Sequence, residues 1–197
     1  MKVRSLLAAA LAAVATNAAF SADVNVSGKI STSTTWTSSN TYILEGYVFV
    51  MPGATLAIQP GTVVKAKQSA GANAAALVIT AGAKIDANGT AQNPIIFTSE
   101  LDNLNGNLTH QDTALWGGVA ILGKASINSR ANSAVAAAPV QDQIEGFSVT
   151  GDDNALITFG GTDDADNSGT FRYVSIRHGG AVIGTANEIN GLTLGGV

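Results

Sequence analysis

Two stretches of the chain carry the same nine-residue pattern. "VFVMPGATL" (48–56) and "LVITAGAKI" (77–85) align at a constant offset of 29, with Val48 on Leu77, Val50 on Ile79, Gly53 on Gly82, Ala54 on Ala83 and Leu56 on Ile85. The pattern is a strand, a Gly-Ala corner and the start of the next strand. A unit this short buries its apolar side only by stacking on its own copies. Elsewhere apolar residues recur at spacing two, and Gly, Pro or Asn interrupts before two helical turns can form. Eight segments read as strands: 42–50, 54–58, 62–66, 76–80, 94–99, 117–122, 171–176 and 191–194. A second match sets Val174 and Ile176 over Leu192 and Leu194 at an offset of 18. Coils of roughly 20 residues, lengthened by loops, follow from the two offsets.

The expected fold is therefore all-β, a parallel β-helix. Inward positions of successive rungs form ladders of Val, Ile and Leu. Gly53, Gly61, Gly82 and Gly89 are expected to turn the corners at positive φ. Phe171 and Val174 are three apart although both read as core, so the strand must bend near Tyr173. Arg177 then points outward, and His178 sits at a corner with Gly179 and Gly180.

The chain opens with two positive charges, Lys2 and Arg4, and then "SLLAAALAAVATNAAF", uncharged until Asp23. That is the pattern of a secretory signal peptide, with a small-x-small site at Ala19 and Ser21, and it is shorter than a membrane span. The expected organisation is a signal peptide at 1–21, an N-terminal cap at 22–45, and rungs over 46–197 with long loops about 100–115 and 124–170. Trp36, in a Ser/Thr-rich stretch, is expected to pack on the open end of the core; Trp116 starts a rung and reads as a core or corner aromatic. Either ring is also a candidate sugar platform.

Without Lys2 and Arg4, eight basic and 14 acidic residues remain, a net charge of −6. A sparse acidic surface argues against nucleic acid and anionic membranes as partners, and no later stretch is long enough for a transmembrane helix. There is no cysteine, which rules out disulfides, thiol chemistry and a lipid attached through cysteine.

"TTWTSSNTYILEGYVFV", "GATLAIQPGTVVKAK", "GTAQNPIIFTS", "LWGGVAILGKA", "GGTDDADNSGTFRYVSIRHGG" and "NEINGLTLGGV" occur in this order. Together they resemble the N-terminal part of a group of large, secreted bacterial right-handed parallel β-helix proteins of unknown function. The resemblance covers nearly the whole chain after residue 21. It implies a longer coil, so Leu192–Val197 reads as the middle of a rung in a truncated helix, and it implies an address outside the cell or on its outer surface. No catalytic residues come with it. The broader fold includes pectate lyases and polygalacturonases, which is an analogy of fold.

Two clusters are candidate sites. Asp164, Asp166 and Ser168, in "DADNSG", have the alternating oxygen ligands and the glycine of a calcium loop, with Asp163 or Asp153 as an additional ligand. The twelfth position is Ser175 where an EF-hand needs Glu, so a solvated turn is the alternative. Arg177 and His178 are the weaker candidates for catalysis. In a calcium-dependent polysaccharide lyase Arg177 would be the base, while Asp164 and Asp166 hold the ion. Against that stands packing of Arg172, Arg177 and His178 across a loop. With only His110 and His178 in the chain, a multi-histidine metal centre is excluded.

Three readings of function follow. The first is a non-catalytic scaffold for adhesion or glycan binding, with a polysaccharide or cell-surface glycan as partner and calcium as the only candidate cofactor. The second is a pectate-lyase-like enzyme, and the third is a structural stalk. An enzyme would need acidic and basic residues stacked on one face over adjacent rungs, whereas in the sequence the charges gather in one loop.

Overall fold

The computed structural model describes residues 22–68, 74–128, 141–185 and 187–197. The expected signal peptide, and residues 129–140 of the expected long loop, lie outside the described residues. The rest is a three-sided parallel β-helix. Strand β1 (Ala22–Ile30) lies over β3 (Asn40–Val50), and β2 (Thr34–Trp36) precedes it on another side. The next coil comprises β4 (Thr55–Ile58), β5 (Val63–Ala66) and β6 (Ala76–Ile79). After it come β7 (Lys84–Asn88), β8 (Ile95–Ser99) and β9 (Val119–Leu122). Then the chain makes an excursion with β10 (Asp142–Gln143), a 3-10 helix (Gly151–Ile157) and β11 (Thr158–Phe159). The last coil holds β12 (Gly169–Arg172) and β13 (Val174–Ile176), a hairpin of β14 (Ala181–Gly184) and β15 (Asn187–Ile189), and β16 (Leu192–Gly195).

Stacking defines the faces. Face 1 is β2-β4-β7-β12, all parallel neighbours. Face 2 is the first half of β3 followed by β5, β8 and β13, and face 3 is its second half followed by β6, β9 and β16. β3 turns the corner between them without breaking, at Gly46 (φ 68°), and β1 above it bends at Gly28 (φ 70°).

The 29-residue repeat is the true register. Val48 pairs with Leu77, Val50 with Ile79 and Leu56 with Ile85, and the Gly53 N–H donates to the Gly82 carbonyl at 2.9 Å, so corner stacks on corner. The inward ladders Val48-Leu77-Val119 and Val50-Ile79-Ile121 are almost wholly buried. Trp36 and Tyr42 stack in the same core with ring centroids 4.6 Å apart, and Tyr42 accepts the Thr37 N–H.

The 18-residue match is not a stacking register. Val174 and Ile176 pair with Ile95 and Phe97 on face 2, whereas Leu192 and Leu194 pair with Val119 and Ile121 on face 3. Alternation looks alike on every face, so it cannot distinguish the next side of one coil from the same side of the next coil. Coil length varies as the loops lengthen it, as expected: Tyr42 meets Val64 at an offset of 22, and Leu77 meets Val119 at 42 across the loop 100–115.

The bend near Tyr173 is present: β12 ends at Arg172, Tyr173 has φ 48°, and β13 starts at Val174. Gly89 needs a correction. Gly53, Gly61 and Gly82 have φ near 80–90°, but Gly89 is not at positive φ. Its hydrogen faces the Tyr173 carbonyl oxygen, which a Cβ there would approach to 2.4 Å. Close approach of the next coil, and not a turn conformation, requires glycine.

Part of the connection expected to leave the coil returns as a second layer. Phe49, Val78 and Ala120 point outward from face 3, yet are buried by Ile144, Leu156 and Ile157, with Phe147 and Phe159 beside them. β6 and β9 are consequently buried on both sides. Their sequences, "ALVI" and "VAIL", lack alternation for that reason. The last rung is more open: Leu194 is 58% exposed and, with Phe171, Ile85 and Ile121, lines a depression. No helix among the described residues is long and apolar enough to cross a membrane.

Two substitutions separate the two uses of glycine. Gly53→Ala meets nothing within 4 Å and pays only for φ 84°, about 1–2 kcal/mol by the αL penalty, largely recovered by Gly53→Asn. Gly89→Ala should destabilise more and gain nothing from Asn. Urea unfolding of the parent and the four variants measures this; equal losses for Gly53→Ala and Gly89→Ala would contradict the steric account.

Candidate functional site

A cluster of polar side chains lies on the outer side of face 2. Register puts Asn25, Ile43, Lys65 and Thr98 in one outward column. Arg177 extends it, because Ile176 pairs with Phe97 and the Arg177 N–H donates to the Phe97 carbonyl. Over this column folds the loop 100–115, and the loop carries Asp102.

Asp102 is 3% exposed. Its Oδ2 accepts the Thr98 hydroxyl at 2.8 Å and its Oδ1 accepts the Leu104 N–H at 2.7 Å. Two basic side chains reach towards Oδ2, His178 Nε2 at 3.9 Å and the Arg177 guanidinium Nη1 at 4.0 Å. Lys65 Nζ donates to the Asp102 carbonyl at 2.7 Å. Burial pushes this carboxyl towards its neutral form, but the Leu104 and Thr98 hydrogen bonds, with His178 and Arg177, outweigh it and hold the pKa below the usual aspartate value.

His178 is held from both sides. Nδ1 lies 2.6 Å from the Asp112 carbonyl oxygen, which can only accept, so Nδ1 donates and Nε2 faces Asp102. The Leu115 N–H donates to the His178 carbonyl and Trp116 Nε1 to the Arg177 carbonyl at 2.8 Å. Trp116 is wholly buried, a core aromatic that pins the corner. Leu104, Ala114 and His178 all have φ near 60°, a conformation that persists in non-glycine residues where surrounding contacts impose it. Arg177 remains half-exposed, with Nε donating to the Ser175 hydroxyl.

The acidic loop lies elsewhere. Asp164 Oδ1 accepts the Ser126 N–H at 2.8 Å, and Asp166 Oδ2 accepts the Lys124 N–H at 3.2 Å and faces the Ser168 hydroxyl at 3.3 Å. The Ser126 contact holds the Asp164 carboxyl below its usual pKa. Ser168 is buried and also directs its hydroxyl to the Leu122 carbonyl. Asp153 pairs with Lys29. Among the described residues no three His, Cys, Asp or Glu side chains converge as a metal cluster.

The structure thus brings Arg177 and His178 to Asp102 and Lys65, not to Asp164 and Asp166. The first group follows β13 at the corner of faces 2 and 3, and the second packs on the chain just after β9. Closeness in sequence misled because β12 and β13 carry the chain along two sides of the coil in between. Charges also do not gather in one loop: Glu45 with Lys67, Lys65 with Asp102, and Arg177 stack over successive rungs of face 2. Asp102 and Lys65 escape a reading from sequence, although "DNLNGN" carries an Asx-turn signal: the Leu104 N–H bonds Asp102 and the Asn105 N–H bonds Asn103.

Asp102 is expected to hold the loop. Asp102→Ala leaves the Thr98 hydroxyl and Leu104 N–H without their acceptor, for a loss of about 1–3 kcal/mol. The pH dependence has a definite sign. A carboxyl depressed on folding stabilises fully above its unfolded pKa, about 3.9, and loses that contribution as pH falls through the lower folded value. The advantage of the parent over Asp102→Asn should therefore shrink below about pH 4. Denaturant midpoints of both proteins from pH 6 to pH 2 test this; a constant difference would refute it.

A family model described as a pectate-lyase-like β-helix domain matches residues 28–197. No curated protein and no solved structure matches the chain. The match runs from within β1 to the last rung and coincides with the coil described above, so the chain belongs to the pectate-lyase-like β-helix domain family.

Proposed function

We propose that the chain works outside the cell as a non-catalytic β-helix scaffold whose polar outer surface binds glycans. One observation carries the non-catalytic reading: the side chains that would do chemistry are engaged in holding loops. His178 is clamped between Asp112 and Asp102, and Asp164 and Asp166 bind the backbone of Ser126 and Lys124. The stacked coils supply a rigid body, and the charged opening of the chain, followed by "SLLAAALAAVATNAAF", supports an extracellular address.

A polysaccharide lyase is the second reading. It is favoured by the half-exposed Arg177 guanidinium on the outer side of face 2, where Lys65 lies in the same column. Its weakness is the calcium ligands, which sit at another corner.

Two measurements decide between them. Incubation with a panel of uronate polymers, followed by ultraviolet absorbance, should reveal no unsaturated products. Product formation abolished by Arg177→Gln would establish the lyase instead. In this reading Asp164 and Asp166 anchor their loop without calcium, so thermal midpoints in calcium and in chelator should coincide. A midpoint raised by calcium, and no longer raised in Asp164→Ala, would overturn that, since a ligand bound only to the native state stabilises it.

A further inference from the structure

We infer that the groove on the outer side of face 2, over β1, β3 and β5, is the glycan site and that it takes an uncharged glycan. This inference rests on the glycan-binding reading above and adds its location and ligand class. The groove encloses about 340 Å³ between Asp23 and Asn25 at one end and Lys67 and Glu100 at the other, with Thr41 and Lys65 along it and Ile43 on its floor. Its shape follows from register. Asn25, Ile43 and Lys65 stack in one outward column, and Asp23 and Thr41 in the next, at the strand spacing of about 4.8 Å.

The lining combines an amide, a hydroxyl, ammonium donors and carboxylate acceptors within one depression. Sugar hydroxyls donate and accept, so they match such a mixture, and the side chain of Ile43 offers an apolar floor for the C–H face of a ring. The walls are fixed before a ligand arrives. Lys65 is tied to Asp102, Glu100 accepts the Gln68 N–H at 2.8 Å, and Lys67 pairs with Glu45. Prefixed walls lower the ordering cost of binding.

Charge decides the class of glycan. Two carboxylates, Asp23 and Glu100, face two ammonium groups, Lys65 and Lys67, and Glu45 adds a further negative charge beside Lys67. A polyanion gains nothing net from such a field, and Arg177, the cation suited to a uronate, lies beyond the Asp102 loop. A neutral chain meets hydrogen-bonding groups without repulsion.

Affinity electrophoresis tests the assignment, with the protein run through gels containing β-glucan, xylan, mannan or polygalacturonate. Retardation by at least one neutral polymer is expected, insensitive to salt. Asn25→Ala should weaken it about fivefold, the equivalent of about one hydrogen bond, and Asn25→Trp should abolish it by filling the groove. Asp86→Asn, on the exposed outer side of face 1, should leave it unchanged; circular dichroism checks that each variant is folded. Neutral retardation that survives Asn25→Trp would overturn the groove while keeping the glycan reading. Retardation by polygalacturonate alone, lost with salt and with Arg177→Gln, would overturn the uncharged class. No retardation in any gel would overturn both.

Discussion

Everything in this molecule depends on the parallel stacking of one coil on the next. Each strand of a coil satisfies its backbone by bonding to the coil above and below, and the same stacking places Val48, Leu77 and Val119 in one buried row. Neither contribution exists for a coil alone. At one corner, Gly89 under Tyr173, the spacing of about 4.8 Å also leaves no room for a side chain.

The three faces have acquired different roles through what covers them. Face 3 is apolar on its outer side and is sealed by the chain's own excursion, with Leu156 and Ile157 over Phe49, Val78 and Ala120. At about 1.5–3 kcal/mol for each large apolar side chain buried, that layer belongs to the stability of the coil and is not a free docking surface. Face 1 alternates, with Lys84, Asp86 and Asn88 outward into solvent. Face 2 combines a polar outer side with walls, because the loop 100–115 folds over it and is held by Asp102.

Asp102 shows how a buried charge becomes a positional device. Isolated burial of a carboxylate is strongly unfavourable, yet this one keeps its charge through a backbone N–H, a hydroxyl and the nearby His178 and Arg177 side chains. The consequence is a fixed edge to the groove, with His178 beside Asp102 at the corner.

The amino-acid sequence by itself determined the fold and most of its strands. Spacing-two alternation and the Gly-Ala corner at an offset of 29 are local properties, and Val48 over Leu77 could be read from them because both copies sit on the same face of successive coils. The bend at Tyr173 was legible too, from Phe171 and Val174 being three apart. Only the tertiary structure decided which side of the coil each strand occupies, and therefore that Val174 does not lie over Leu192. It alone decided that Arg177 and His178 meet Asp102, some 75 residues earlier, and not the nearer Asp164 and Asp166. The reason is physical: in a solenoid, residues separated by one coil become neighbours at strand spacing, while residues a few positions apart can be carried round a corner, and coil length varies with every excursion the chain makes.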